Sequence, residues 1–174
     1  MEDWLRMRKA VKGGEYTHTK IGDKALNIYA GTYHISEKDH TVFQKKYFKA
    51  AFKEGIKQYL TEKQLIEDGP VMIDIDLRYP TTIKEKQHTG DHILDFIMGY
   101  LDKCNEVIHV TEGQSIDVFV MEKNKVNCLP EKTKDGIHII LGIKMHKGLQ
   151  TLLRNKMLAE LPEMWDDLPI TNTW

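Results

Sequence analysis

Two aspartates and an arginine alternate with large aliphatic residues in the segment GPVMIDIDLRYP, residues 69–80. Side chains two positions apart in a strand lie on the same face, about 7 Å from each other. The pattern therefore places Asp74, Asp76 and Arg78 on one face of a strand and the aliphatic residues on the other. Aspartate is disfavoured in strands, and burying an unpaired carboxylate is costly. We therefore expect the charged face to serve a purpose other than packing.

The two carboxylates are suited to binding a divalent cation. At this spacing they can converge on one cation, or bridge two cations about 3.5–4 Å apart. Oxygen ligands with open positions favour Mg²⁺ or Mn²⁺ held together with substrate phosphates. Arg78 would bind a phosphate from the same face or neutralise an aspartate. The alternative is a structural ladder of ion pairs at a sheet edge.

A second candidate segment is KTKDGIHIILGI, residues 132–143. The alternation of side chains along this segment places His138 on the strand face opposite to Ile137 and Ile139. Lys134, shortly before the glycine, could reach a phosphate. A lone histidine among apolar residues is more often a hydrogen-bonded core residue than a functional one, and a loop lysine is usually solvated. This segment alone leaves both interpretations open.

Composition limits the class of protein. The chain has 174 residues, of which 41% are hydrophobic and 29% charged, with a net charge of −1. This fits one globular domain, in which any nucleic-acid surface must be a local patch. No apolar run is long enough to cross a membrane, and the acidic start does not resemble a secretory signal. Cys104 and Cys128 form no CxxC pair, so we expect buried free thiols in a soluble, intracellular protein.

Hydrophobic periodicity predicts the elements that must position these residues. We expect strands over 25–35, 71–79, 115–123 and 135–145, and helices over 36–60, 91–110 and 148–161. The strands 115–123 and 135–145 are consecutive and could be antiparallel neighbours. The order of elements favours an α+β fold with mixed or antiparallel sheets flanked by helices.

The two candidate strands together resemble the archaeo-eukaryotic primase superfamily. VMIDIDLRY provides a hydrophobic strand with the Asp-x-Asp motif, and Gly136-Ile137-His138 provides the small-x-His motif about sixty residues later. With HTKIGDKALNIYAGTYHI upstream, the chain looks like the primase module of the primase-helicases of nucleocytoplasmic large DNA viruses. The resemblance implies an RRM-like primase-polymerase core, and a single domain over residues 1–174 that is a fragment of a longer primase-helicase.

The resemblance also implies roles for individual residues. Asp74 and Asp76 would bind the catalytic Mg²⁺ or Mn²⁺, and His138 would contact the phosphates of the incoming NTP or dNTP. Lys134 and Arg78 are further candidates for binding the triphosphate. The implied reaction is template-directed nucleotidyl transfer on single-stranded DNA, and the implied partner is a C-terminal helicase region of the same polypeptide. The implied location is the viral replication site in the host-cell cytoplasm, with no membrane partner.

The superfamily has a third acidic metal ligand, for which the chain offers no convincing match after His138. The segment EMWDDLP, residues 163–169, does not read as a strand. Thr171 and Asn172 are good helix N-caps or turn formers with no helix after them. We therefore expect a C-terminally truncated chain whose third ligand lies beyond Trp174. No Walker A loop occurs in the chain, so the helicase region must lie elsewhere.

Several alternatives stay open. The Asp-x-Asp pair could belong to a haloacid-dehalogenase-type phosphohydrolase, although Arg78 stands where that class usually has threonine or valine. It could equally belong to a non-catalytic nucleic-acid or protein docking domain. A zinc site among His88, Asp91, His92 and Asp95 is a weaker alternative, because Thr89 more economically caps a helix in whose first turn Asp91 is favourable. From the resemblance, Lys20 is a candidate for lining the nucleotide or template groove.

Overall fold

The computed structural model describes residues 1–26, 28–64, 67–109, 111 and 113–172. The chain forms two compact units, residues 1–64 and 65–174. Each unit has its own hydrophobic core. The prediction of a single domain over residues 1–174 stays a prediction.

The first unit contains a three-stranded antiparallel sheet and two α-helices, with strand order β2-β1-β3. Its elements are α1 (Glu2–Arg6), β1 (His18–Lys20), β2 (Gly31–Tyr33), α2 (Glu37–Phe48), a π-helical turn (Lys49–Lys53) and β3 (Leu60–Glu62). Its core consists of Trp4, Leu5, Tyr33, Ile35 and Phe43. The Arg8 guanidinium also donates to both carboxylate oxygens of Asp39, at 2.8 and 3.0 Å.

The predicted helix over 36–60 is wrong beyond Lys53, and its last turn, Lys49–Lys53, is π-helical. This π-helical turn contains an extra residue per turn, so it rotates later side chains out of the original face. Gly55 then adopts a left-handed conformation, with φ of +66°, and the helix does not resume. Phe52 is consequently 71% exposed instead of continuing the buried stripe, and Phe48, the last residue of α2, is already 52% exposed. The predicted strand over 25–35 is likewise shorter, because Gly31–Tyr33 is the strand among the described residues of this range.

The second unit carries the segments with candidate chemistry. Its elements are β4 (Asp68–Tyr79), α3 (Gly90–Val107), β5 (Val118–Glu122), β6 (Asn127–Cys128), β7 (Thr133–His146) and α4 (Lys147–Met164). Its sheet has the order β4-β7-β5, with β6 also paired to β7, and every pairing is antiparallel. The expected antiparallel pairing of the strands around 115–123 and 135–145 is confirmed.

Helices α3 and α4 share a core with one face of this sheet. The alternation that the sequence predicts buries Val71, Ile75 and Leu77 of β4, and the same alternation buries Ile137 and Ile139 of β7. Thr89 caps α3 as expected, in a capping box in which His92 supplies the reciprocal side chain. The predicted end of this helix at Val110 lies outside the described residues.

The cysteines differ from each other. Cys104 is buried in α3, and burial raises its pKa to about 11. Cys128 is exposed on β6, so the expectation that both thiols are buried is wrong for Cys128.

The structure confirms an α+β fold with antiparallel sheets. In the second unit, one sheet face packs in the core with α3 and α4, whereas the opposite face carries exposed side chains. Within the described ranges, no helix combines the length and the apolar character that a membrane span needs.

Candidate active site

Strands β4 and β7 place all five predicted site residues on the exposed face of the sheet, called here the open face. Their register forms three cross-strand pairs: Asp74 with His138, Asp76 with Gly136, and Arg78 with Lys134. Directly opposite residues in antiparallel strands share a face, with Cβ atoms about 5 Å apart. The sequence predicted the two sets of residues separately, and the register brings them together.

The central pair joins Asp74 and His138. The Nε2 atom of His138 lies 3.4 Å from Oδ1 of Asp74, and the two side chains are 56% and 65% exposed. An ion pair this exposed contributes at most about 1 kcal/mol to stability. Stability alone therefore gives a weak reason for two aspartates and a histidine here, which argues against the structural ion-pair ladder. Both groups are accessible to a ligand.

Gly136 leaves open space between the charged pairs. A Cβ atom built at Gly136 would meet only the Ile75 carbonyl oxygen, at 3.9 Å, besides its chain neighbours. Packing therefore does not require glycine at this position. The missing side chain leaves room beside Asp76 for a cation or a phosphate group.

Replacing Gly136 with alanine is expected to weaken binding of a metal–nucleotide complex by about tenfold, or about 1.4 kcal/mol. The added methyl group would occupy the space beside Asp76, while the fold has room for it. The melting temperature should stay the same or rise slightly, because the fold has room for the methyl group and Gly→Ala restricts the unfolded chain. Calorimetric titration and thermal denaturation measure the two effects.

Gly142→Ala is the matched control on the same strand. Its Cβ atom would lie 3.2 Å from the Asp117 carbonyl oxygen and 3.4 Å from the Asp117 nitrogen, so the backbone just before β5 must shift by a few tenths of an ångström. We expect a lower melting temperature and unchanged nucleotide affinity for this variant. Equal affinities in Gly136→Ala and the unmodified protein would contradict the role given to the open space.

Two residues near the end of the described chain form hydrogen bonds with the backbone of β4 next to the candidate site. The Asn172 side chain accepts a hydrogen bond from Arg78 N and donates one to the Asp76 carbonyl oxygen, both at 2.7 Å. Thr171 N donates to the Arg78 carbonyl oxygen at 2.8 Å. Thr171 and Asn172 therefore fix the backbone that carries Asp76 and Arg78. The sequence suggested only helix capping or a turn for them.

A polar cluster around the buried His88 and Asp135 lies under β7, on the helix-covered side of the sheet, with the half-buried Lys86 and the exposed Glu122 at its solvent side. Sequence reasoning missed it. Nδ1 of His88 lies 3.3 Å from Oδ2 of Asp135, and Nε2 of His88 lies 2.7 Å from Oε2 of Glu122. Lys86 Nζ lies 2.7 Å from the same Glu122 oxygen and 3.9 Å from Asp135 Oδ1. Gly136 N donates to Asp135 Oδ1 at 2.9 Å. The cluster thus anchors the strand that carries His138.

The zinc alternative finds no support in these positions. His88 contacts Glu122 and Asp135, whereas His92 caps α3 and lies 3.0 Å from Asp167. Across the part of the chain that the structure describes, no three histidine, cysteine, aspartate or glutamate side chains are grouped to hold a metal ion.

Glu122→Gln is expected to reduce the loss of unfolding free energy that the protein undergoes as the pH falls below the ordinary glutamate pKa. The hydrogen bond from Lys86, and next the one from His88, hold the pKa of Glu122 below its usual value. A carboxylate with a lower pKa in the folded state stabilises the fold above its unfolded pKa, and this contribution is lost as the pH falls through the folded pKa. Below about pH 4.3, the ordinary glutamate value, the unmodified protein should therefore lose stability more steeply.

Urea unfolding between neutral pH and about pH 2 measures this difference, because the free energy of unfolding is obtained at each pH. Glu163→Gln, at an exposed position of α4, is the control. Parallel curves for Glu122→Gln and the unmodified protein would contradict the prediction.

Lys20 is not accessible in the first unit. Its side chain is fully buried and forms an ion pair with Glu2. This placement overturns the expectation that Lys20 lines a groove for a nucleotide or template.

An antiparallel sheet with helices on one face, and with an Asp-x-Asp strand beside a histidine strand on the other, is consistent with a primase-polymerase core. The family model described as the C962R protein N-terminal AEP domain matches residues 22–174, and the chain belongs to this family. AEP denotes archaeo-eukaryotic primase, so the resemblance seen in the sequence is confirmed. A search of the curated proteins found no match.

Membership of this family defines a general chemistry. The family is of the primase-polymerase type and generally nucleotidyltransferase-like, and its domains generally use divalent metals. Two exposed carboxylates beside the open space at Gly136 fit such a cation, because hard oxygen ligands with free positions suit Mg²⁺ and Mn²⁺.

Proposed function

We propose that this chain is the primase-polymerase part of a viral replicative enzyme, which transfers nucleotides to a growing strand on a single-stranded DNA template. The observation that carries the proposal is the register of β4 and β7. It pairs Asp74 with His138, and Arg78 with Lys134, on the open face. Two neighbouring carboxylates, which suit a metal ion, lie there beside a basic pair that suits a triphosphate.

Each side chain has a role in this proposal. Asp74 and Asp76 would hold one or two Mg²⁺ or Mn²⁺ ions, which when bound neutralise phosphate charge and favour the attacking 3′-hydroxyl. His138 donates a hydrogen bond from Nε2 to a phosphate oxygen of the NTP or dNTP. Lys134 and Arg78 place positive charge where the triphosphate lies. Phosphoryl transfer depends largely on such positioning and charge stabilisation.

The family membership favours this function over the haloacid-dehalogenase alternative, in which Asp74 would be a nucleophile. A docking domain with structural aspartates predicts that no metal–nucleotide complex binds at the open face. The C-terminal helicase region of the same polypeptide and the replication site in the host-cell cytoplasm remain parts of the proposal. The support for both is the viral primase-like relationship of the family.

Incorporation of labelled nucleotides on a primed single-stranded template, with Mn²⁺, tests the proposal. His138→Ala is expected to lower the rate by about a hundredfold, the typical cost of removing one donor to transition-state charge. His146→Ala, at an exposed position of the same strand, should leave the rate unchanged. Template-independent incorporation, or equal rates in His138→Ala and the unmodified protein, would contradict the assignment.

A further inference from the structure

The open face has an apolar half that the proposed reaction does not use. Ile140 of β7 lies in register between Met72 of β4 and Phe119 of β5, and Met121 of β5 lies in register with His138. Directly opposite residues share a face. These four apolar side chains therefore lie on the same face as His138 and are called here the apolar platform.

Packing within the chain does not explain the apolar platform. Met72, Phe119 and Met121 are 56%, 59% and 49% exposed, whereas the core of this unit lies on the opposite face with α3 and α4. Single exposed apolar residues are normal on protein surfaces, but a contiguous group usually marks a binding site. The platform is also continuous with the charged pairs of the candidate active site.

The order of the pairs along the strands gives the open face a direction. From one end come Arg78–Lys134, Asp76–Gly136, Asp74–His138 and then Met72–Ile140–Phe119. Pairs two residues apart are about 7 Å from each other, so the apolar row lies about 7 Å beyond His138 and about 20 Å from the cationic end. A nucleoside triphosphate has the same sequence of groups. Its phosphates are at one end and its flat base is at the other, with the sugar between them.

We propose that the apolar platform binds the base of the nucleotide whose phosphates lie over the charged pairs, with Phe119 as the stacking residue. This inference rests on the proposed function. A phenylalanine ring stacks on any base because every base has a π-face. Methionine adapts its shape to different partners. The platform therefore positions the nucleotide along the sheet and leaves the choice of base to the template.

Titration calorimetry with Mn²⁺ and two probes, ATP and inorganic tripolyphosphate, tests the platform, and oligothymidylate is titrated separately as a single-stranded template. ATP carries a base, whereas inorganic tripolyphosphate carries only the charge. We expect Phe119→Ala to weaken binding of ATP by about tenfold or more, the usual cost of losing an aromatic stacking partner. Its affinity for tripolyphosphate should not change. Phe119→Trp should keep the affinity for ATP close to that of the unmodified protein, because tryptophan also provides an aromatic face.

Met98→Ala is the matched control, because Met98 is 51% exposed on α3 and lies away from the open face. It should change neither affinity. The melting temperature of Phe119→Ala should stay close to that of the unmodified protein, since the ring is mostly exposed.

The outcomes separate this inference from the function on which it rests. If Phe119→Ala leaves ATP binding unchanged, or weakens both probes equally, the base assignment is overturned while the metal–phosphate site stands. If it weakens binding of oligothymidylate but not of ATP, the platform binds the template and the assignment is again overturned. If the unmodified protein binds neither probe with Mn²⁺, the proposed function and the platform both fail.

Discussion

Replacing Asp74 and Asp76 together with asparagine is expected to lower metal-dependent nucleotide incorporation by about a thousandfold or more. The two carboxylates are the only groups to which the proposal assigns the divalent cation, and charge stabilisation by such an ion provides several kcal/mol in phosphoryl transfer. Asparagine keeps the shape of each side chain but removes the negative charge. Both aspartates are exposed, so the fold should not depend on them.

The measurements are the incorporation rate on a primed single strand and the binding of Mn²⁺, followed by its electron paramagnetic resonance signal. The double variant should retain its melting temperature and lose the tight Mn²⁺ site. Asp68→Asn is the control, because Asp68 is also exposed on β4 but lies at the far end of the strand. Unchanged Mn²⁺ binding in the double variant would show that the aspartates are structural, as the docking-domain alternative predicts.

The second large effect concerns Asp135, beneath the strand that carries His138. Asp135→Ala is expected to reduce the free energy of unfolding of the second unit by about 3 kcal/mol, because it leaves the buried His88 ring without its neighbouring carboxylate, and buried polar groups without partners cost about 1–3 kcal/mol each. The side chains of Asp135 and His88 are both fully buried and lie 3.3 Å apart. The variant also loses the acceptor for Gly136 N.

Urea unfolding measures the loss, and two variants separate its causes. Asp135→Asn keeps an oxygen acceptor for Gly136 N and should be less destabilised than Asp135→Ala. Asp117→Ala, at an exposed position, should stay within about 0.5 kcal/mol of the unmodified protein. A loss below about 1 kcal/mol in Asp135→Ala would mean that the buried cluster is not a stabilising network.

The sequence allowed the faces of the strands to be predicted, because strand alternation is a local property. The alternation alone separates Asp74, Asp76 and Arg78 from the aliphatic residues of β4, and the burial pattern of the strand agrees. It does not determine which residue of β7 lies opposite Asp74. That register depends on a non-local pairing and on the irregularity between Pro70 and Val71.

Two other features were less accessible to sequence reasoning. The alternation along β7 contained a signal for the buried cluster, since Asp135 shares the parity of Ile137 and Ile139, and a carboxylate at a core position needs a partner. Its partners His88 and Glu122 lie on other segments, so only the fold could identify them. The π-helical turn after Phe48 left no clear local signal, because the aromatic residues continue at helical spacing.

Titration of ATP into the unmodified protein, with and without Mn²⁺, tests the central claim most directly. The claim is that the open face of β4 and β7 binds a metal–nucleotide complex through Asp74, Asp76 and His138. We expect saturable binding that requires Mn²⁺ and is lost in the double aspartate variant. Binding that is the same without Mn²⁺, or the same in the double aspartate variant and in His138→Ala, would contradict it.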